Sequence, residues 1–142
     1  MLRVMTIKDY DGAVALWRAT PGMGLRSLDD SKEGIEKYLQ RNPYTSFVAE
    51  ESGGIVGTIL CGHDGRRGFI YHLAVGQDMR RKGLGTALVE AALGALKQEG
   101  INKVCLVVFA QNAIGNAFWQ NLGFAARGDL CYRDLSLSDE NI

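Results

Sequence analysis

The spacing of apolar residues changes period several times along this chain, and each change marks an element. Leu2 to Ile7 reads as a short first strand. Tyr10, Ala13, Val14 and Trp17 then recur at i, i+3, i+4 and i+7, one face of a helix. Thr20-Pro21-Gly22-Met23-Gly24 breaks that helix and opens a loop reaching Asp30. Asp30 and Glu33 stand at capping-box spacing before Ile35, Tyr38 and Leu39, with Asn42-Pro43 as the stop. Phe47 to Glu50 and Ile55 to Cys61, joined by Glu51-Ser52-Gly53-Gly54, predict a hairpin. A Gly-rich loop, Gly62 to Gly68, leads into a β run from Phe69 to Val75.

The helical period returns from Leu84 through Leu88, Ala91, Ala92 and Ala95 to Leu96, closed by Lys97 and Gly100. Lys103 to Phe109 is β-branched and reads as a strand, and Asn112 to Asn121 as a short helix stopped by Gly123. Phe124 to Arg127 and Leu130 to Leu135 predict a last pair of strands, followed by a frayed tail from Ser136 to Ile142. Strands followed by single-helix crossovers, together with hairpins, make this an α/β chain with a mixed sheet.

Composition narrows the class. A length of 142 residues is one domain's worth, so residues 1–142 are read as a single domain. With 46% hydrophobic and 23% charged residues, disorder and disulfide miniproteins are excluded. Sixteen basic and sixteen acidic residues cancel, so no overall field draws nucleic acid or a membrane, and any anion must be attracted locally. No apolar run approaches the roughly 18 residues of a spanning helix, and the start lacks a signal-peptide core. Cys61, Cys105 and Cys131 are odd in number and widely spaced, with no zinc-like partner. The expectation is reduced, mostly buried thiols in the cytoplasm and no metal site.

The informative stretch is Leu73-Ala74-Val75-Gly76-Gln77-Asp78-Met79-Arg80-Arg81-Lys82-Gly83-Leu84-Gly85-Thr86. A strand enters a loop with three consecutive cations, then two glycines, then a long helix. A helix start leaves backbone N–H groups unpaired and carries about half a positive charge. Gly83 and Gly85 would let an anion approach that backbone, beside Arg80, Arg81 and Lys82. A P-loop is ruled out because its spacing and Gly-Lys-Ser/Thr are absent. A dinucleotide fingerprint fails because Leu88 stands where its third glycine belongs. Arg80-x-x-Gly83-x-Gly85 remains, as a phosphate cradle or as a basic turn before a glycine-softened helix.

With Leu73-Ala74-Val75 before it and Asn112 through Ala117-Phe118-Trp119-Gln120-Asn121-Leu122-Gly123-Phe124 after it, the chain resembles the GNAT superfamily of acyl-CoA-dependent N-acetyltransferases. The resemblance spans essentially the whole chain, including the Phe47-Val48-Ala49-Glu50 to Ile55-Val56-Gly57 hairpin, and Tyr71-His72-Leu73-Ala74-Val75 with Gly62-His63-Asp64-Gly65-Arg66-Arg67-Gly68 resemble a small bacterial branch. It implies a mostly antiparallel central sheet whose fourth and fifth strands splay apart to admit the pantetheine arm of acetyl-CoA. The backbone of Leu73 and Val75 would hold the arm. The amides from Arg81 to Thr86, including Lys82, Gly83, Leu84 and Gly85, would hold the pyrophosphate, with Arg80 alongside. Asn112 matches a family position that bonds the arm.

At two positions the chain departs from the family. Trp119 stands where many members carry a tyrosine that protonates the leaving thiolate, and an indole is no usable acid. Val107 stands where the peptide-N-terminus branch has a glutamate base. Substitute candidates are Tyr71 and His72, placed on opposite faces of their strand by its period of two, and Glu50 at a strand end. An imidazole suits a base near neutrality. The acceptor would enter between the Met23-to-Asp30 loop and the strands. There Asp29 and Asp30 could draw an ammonium, or Arg26, Arg66 and Arg67 a carboxylate. The expected activity is acetyl transfer from acetyl-CoA to an amine acceptor, with no metal, membrane or nucleic acid involved. The alternatives are a non-catalytic acyl-CoA-binding module and a protein N-terminal acetyltransferase; a homodimer fits a family in which dimers are common.

Overall fold

Trp17 and Leu88 are both fully buried, on opposite faces of one sheet. In the computed structural model, which describes residues 1–142, five strands pair in the order of the chain. They are β1 (Leu2–Val4), β2 (Phe47–Glu51), β3 (Gly54–His63), β4 (Gly68–Val75) and β5 (Val104–Cys105). The first four are antiparallel, and β5 joins β4 in parallel. Helices α1 (Tyr10–Arg18) and α2 (Lys32–Arg41) lie between β1 and β2, α3 (Leu84–Gln98) between β4 and β5, and α4 (Ala113–Asn121) after β5.

Alternation along β3 divides the core. Leu60 turns to a cluster with Trp17, Ile35 and Leu39, and its neighbours Ile59 and Cys61 turn to one with Leu88, Val89 and Leu96. Truncating a fully buried leucine such as Leu88 to alanine costs about 2–5 kcal/mol, so each helix is held by a few such contacts.

Several expectations need correction. β1 stops at Val4, and Ile7–Asp9 is a 3-10 turn whose Asp9 carboxylate accepts from the Thr6 N–H at 2.9 Å. Ser31, not Asp30, caps α2, its hydroxyl oxygen accepting from Gly34 N–H at 3.0 Å. The fifth strand is Val104–Cys105 alone, and neither 124–127 nor 130–135 forms a strand. With β5 ending at Cys105, the last segments find no ladder to join, and Leu130, Tyr132 and Leu135 remain exposed. The tail is docked rather than frayed: Asn141 Oδ1 accepts from the Leu28 and Asp29 amides at 3.0 and 3.1 Å, and Ser27 N–H donates to the Ile142 carbonyl. Of the cysteines, all free, only Cys61 is buried.

Candidate active site

The β4–β5 ladder consists of Gly68↔Val104 and Phe69↔Cys105, after which the strands part. The splay leaves one edge of β4 open. Gly76 N–H donates to the Val56 carbonyl at 2.8 Å and Gly57 stands opposite Val75. In an antiparallel ladder bonded and non-bonded pairs alternate, so the Val75 amide and carbonyl turn away from β3. The side chains of Leu73 and Val75 pack against the α3-side core.

At the far end of β4 the chain turns into α3. Arg81 (φ 65°) and Gly83 (φ 78°) both adopt left-handed backbone, a succession that turns amides toward one hollow. None of the backbone N–H groups from Arg81 to Thr86 donates to another main-chain or side-chain group; the first helical bond runs from Ala87 N–H to the Gly83 carbonyl at 3.0 Å. A Cβ on Gly83 would meet nothing within 4 Å, so the hollow is open. Gly85 instead packs near Phe118, 3.4 Å from where a Cβ would lie. Arg80, Arg81 and Lys82 are exposed, and none is in a salt bridge. Unpaired donors, a helix start and free cations together suit a polyanion.

Asn112 caps α4, its Oδ1 accepting from Gly115 N–H at 2.9 Å, so its oxygen is committed within the helix. Trp119 packs between Phe118 and Phe124, with ring centroids 5.0 Å from each. Val107 is exposed beyond the end of β5.

The acid–base candidates separate. β4 carries a bulge: Thr58 pairs Ala74 and Leu60 pairs Tyr71, leaving Ile59 opposite both His72 and Leu73. His72 takes the strained backbone (φ 43°). The extra residue cancels the alternation, so Tyr71 and His72 share the α1–α2 face instead of lying on opposite ones. Tyr71 meets Tyr38 of α2 edge-on at 6.0 Å, and His72 lies 4.8 Å from Trp17 of α1. Tyr71 is 46% exposed and stacks on Phe69. Burial pushes its phenol above the ordinary value, so at neutral pH it is a neutral donor and not a base. His72 Nε2 bonds Asp30 Oδ1 at 2.6 Å. Glu50 is not brought to them; its carboxylate accepts from Arg3 Nε at 3.2 Å.

A cleft of about 500 Å³ lies between α1 and the 25–32 loop, lined by Tyr10, Arg18, Arg26, Asp30, Lys32 and Ile142. Arg66 and Arg67 are elsewhere, in the β3–β4 turn with their amides on Asp64. Asn141 escaped the sequence pattern, and so did the partner of Asp30. Asp30 is spoken for by His72 across 42 positions, and Asn141 ties the tail to the loop across 112; neither separation leaves a local signal. No group of three or more His, Cys, Asp or Glu is arranged to hold a metal ion.

A mixed sheet opened between β4 and β5, with an anion-suited helix start beside the opening, is the arrangement that the resemblance to acyl-CoA-dependent N-acetyltransferases implies. The acetyltransferase (GNAT) family profile matches residues 13–124. The chain is 33% identical over 111 residues to an acetyltransferase of Pectobacterium atrosepticum, covering 78% of this chain and 77% of that one. It is 32% identical over 123 residues to an acetyltransferase of Yersinia enterocolitica, covering 87% and 86%. Among solved structures, Ard1 from Thermoplasma volcanium superposes with a TM-score of 0.76 at 22% identity, covering 87% of this chain and 80% of that one. The PaiA N-acetyltransferase from Thermoplasma acidophilum, solved with coenzyme A, gives 0.73 at 20% identity, covering 87% of each. The chain belongs to the GNAT acetyltransferase family and is an acyl-CoA N-acyltransferase. Membership in an enzyme family sets aside the binding-only alternative.

Proposed function

We propose that this enzyme transfers an acetyl group from acetyl-CoA to a primary amine of a small molecule or peptide, directly, in a ternary complex. The observation that carries the reading is the unpartnered run of amides from Arg81 to Thr86 at the mouth of the splay. It supports a diphosphate there, with the arm lying along the backbone of Leu73 and Val75 and Arg81 and Lys82 adding charge.

The acceptor attacks as its free base, so an amine with an ordinary pKa near 10.4 must first lose a proton, while an α-amine near 7.7–8 is already partly neutral. The nitrogen lone pair bonds the thioester carbonyl carbon, an oxyanion forms, and an outward N–H of β4 is the nearest kind of donor to stabilise it. The C–S bond then breaks with its electron pair leaving on sulfur. The proton shed by nitrogen balances the one that thiolate takes up, giving amide and free CoA thiol. With a thiol pKa near 8.5, expelling thiolate at pH 7 is uphill by only roughly 2 kcal/mol, so Trp119 in place of an acid slows transfer without forbidding it. Positioning supplies much of the rest.

The cleft beside the loop carries Arg18, Arg26 and Lys32, and its one acidic side chain, Asp30, is engaged by His72. That balance favours an acceptor amine bearing a negative group, such as an amino acid. No helix is long and apolar enough to cross a membrane, and free thiols fit a reducing compartment such as the cytoplasm. The test is CoA release from acetyl-CoA with a panel of amino acids, polyamines and short peptides, alongside calorimetry with CoA. Turnover on amino acids is expected. CoA binding without turnover on any amine would overturn the reading.

A further inference from the structure

We propose that Asp30 is a positioning residue: its carboxylate clasps the acceptor-side loop to the bulge of β4, so that loop and strand hold one geometry. The inference rests on the acetyl-transfer reading, since it assigns the loop to the acceptor and β4 to the thioester. Both oxygens of Asp30 are in use. Oδ1 meets His72 Nε2 at 2.6 Å, and Oδ2 accepts from the Arg26 amide at 2.7 Å. The Tyr10 hydroxyl donates to the Asp30 carbonyl at 2.7 Å, which fixes the backbone as well. A carboxylate only accepts, so Nε2 is the donor. The two side chains are 10% and 13% exposed, and a charge-assisted bond so shielded is among the stronger contacts available.

The other end of the clasp is equally constrained. His72 sits at the bulge in left-handed backbone, immediately before Leu73. Its carbonyl accepts from the Thr58 hydroxyl at 3.0 Å, and that hydroxyl in turn accepts from Trp17 Nε1 at 2.9 Å. Its ring lies against the fully buried Trp17. An imidazole confined in this way is built to hold and not to travel. On the outer side the loop is tied by Asn141 to its Leu28 and Asp29 amides. Asp30 is therefore the side chain through which the loop is anchored to the strand. Without the anchor a smaller fraction of molecules holds the loop in the geometry that receives the acceptor, and apparent acceptor affinity falls by that fraction.

The test uses Asp30→Asn and His72→Gln in the full chain. Asn retains an acceptor for the Arg26 amide but loses the charged bond to Nε2; Gln retains a donor toward Asp30. In Asp30→Asn, hydrogen exchange at the amides of 25–31 and of His72 and Leu73 should speed up together by about tenfold, with α3 unchanged. With the best acceptor of the amine panel, KM should rise about tenfold while kcat changes less than about twofold and CoA affinity is retained. His72→Gln should recover most of the KM lost in His72→Ala. Unchanged exchange at 25–31 overturns the clasp. A fall in kcat of about a hundredfold at constant KM overturns it too, because it would make His72 the proton acceptor. If the wild-type enzyme acetylates no amine, the acetyl-transfer reading fails, and the exchange data still decide whether Asp30 holds the loop.

Discussion

Arg80 Nε donates to the Val75 carbonyl at 3.3 Å, so the first cation of the loop closes the end of β4 while Arg81 and Lys82 stay unpaired. This divides the basic run into one residue that braces the strand and two that are free to meet an anion.

The division predicts unequal losses of CoA affinity. Arg80→Ala should weaken binding by no more than about fivefold, because an exposed charge contributes roughly 0.2–1 kcal/mol. Gly83→Asp should weaken it by about a hundredfold or more. It puts a carboxylate among the unpaired amides, each worth about 1.5–3 kcal/mol to a charged partner. It also forces a side chain into left-handed backbone at about 1–2 kcal/mol. Gly83→Ala separates the two causes, carrying the strain without the charge. Calorimetry with CoA reads all three.

Asp9 predicts an acid-side loss of stability. Burial pushes its carboxyl up, but the Arg3 guanidinium at 2.7 and 2.9 Å and the Thr6 amide outweigh it and hold it below the usual carboxylate range. A group depressed in the folded state stabilises above its unfolded pKa, about 3.9, and that stability is lost as pH falls through the folded value. Asp9→Asn should cost about 1–2 kcal/mol at neutral pH, between an exposed pair and a fully buried one, because Arg3 is partly solvated. Its unfolding free energy should also fall less steeply with acid below about pH 4, as read by urea titrations across that range.

The three cysteines should react unequally. Burial pushes the Cys61 thiol up to about 12. An aromatic disulfide reagent near pH 8 should modify Cys105 and Cys131 in the folded protein and reach Cys61 only after denaturation. Rapid labelling of all three would contradict the packing of the α3-side core.

Tyr38 has a buried hydroxyl with no hydrogen-bond partner. Tyr38→Phe removes that group and keeps the ring against Tyr71, so stability should be unchanged or higher by up to about 1 kcal/mol, measured by thermal unfolding.

Legibility from the chain follows the range of the interactions. The Phe47-to-Cys61 hairpin and the α3 helix bounded by Gly83 and Gly100 are set by neighbours a few positions apart, and both were predictable from period and turn residues. The Asp30 assignment failed because a capping box and a long-range ion pair ask for the same residue type, and Ser31 beside it supplied the cap. The His72 bulge has no periodic signature, since the flanking Tyr71 and Leu73 suit a regular strand equally well. The segments after α4 alternate like strands, but a strand needs an edge to pair with, and β5 ends too early to offer one. At the site, glycine and charge spacing revealed the α3 start. Which candidates share a face depended on the bulge and stayed hidden.

The central claim concerns main-chain donors, so the most direct measurement watches them. In a titration of the isotope-labelled protein with CoA, followed by amide chemical shifts, the largest changes should fall on Arg81 to Thr86, with smaller ones at Leu73 and Val75. Saturable CoA binding that leaves those amides unmoved, or no binding at all, would contradict it.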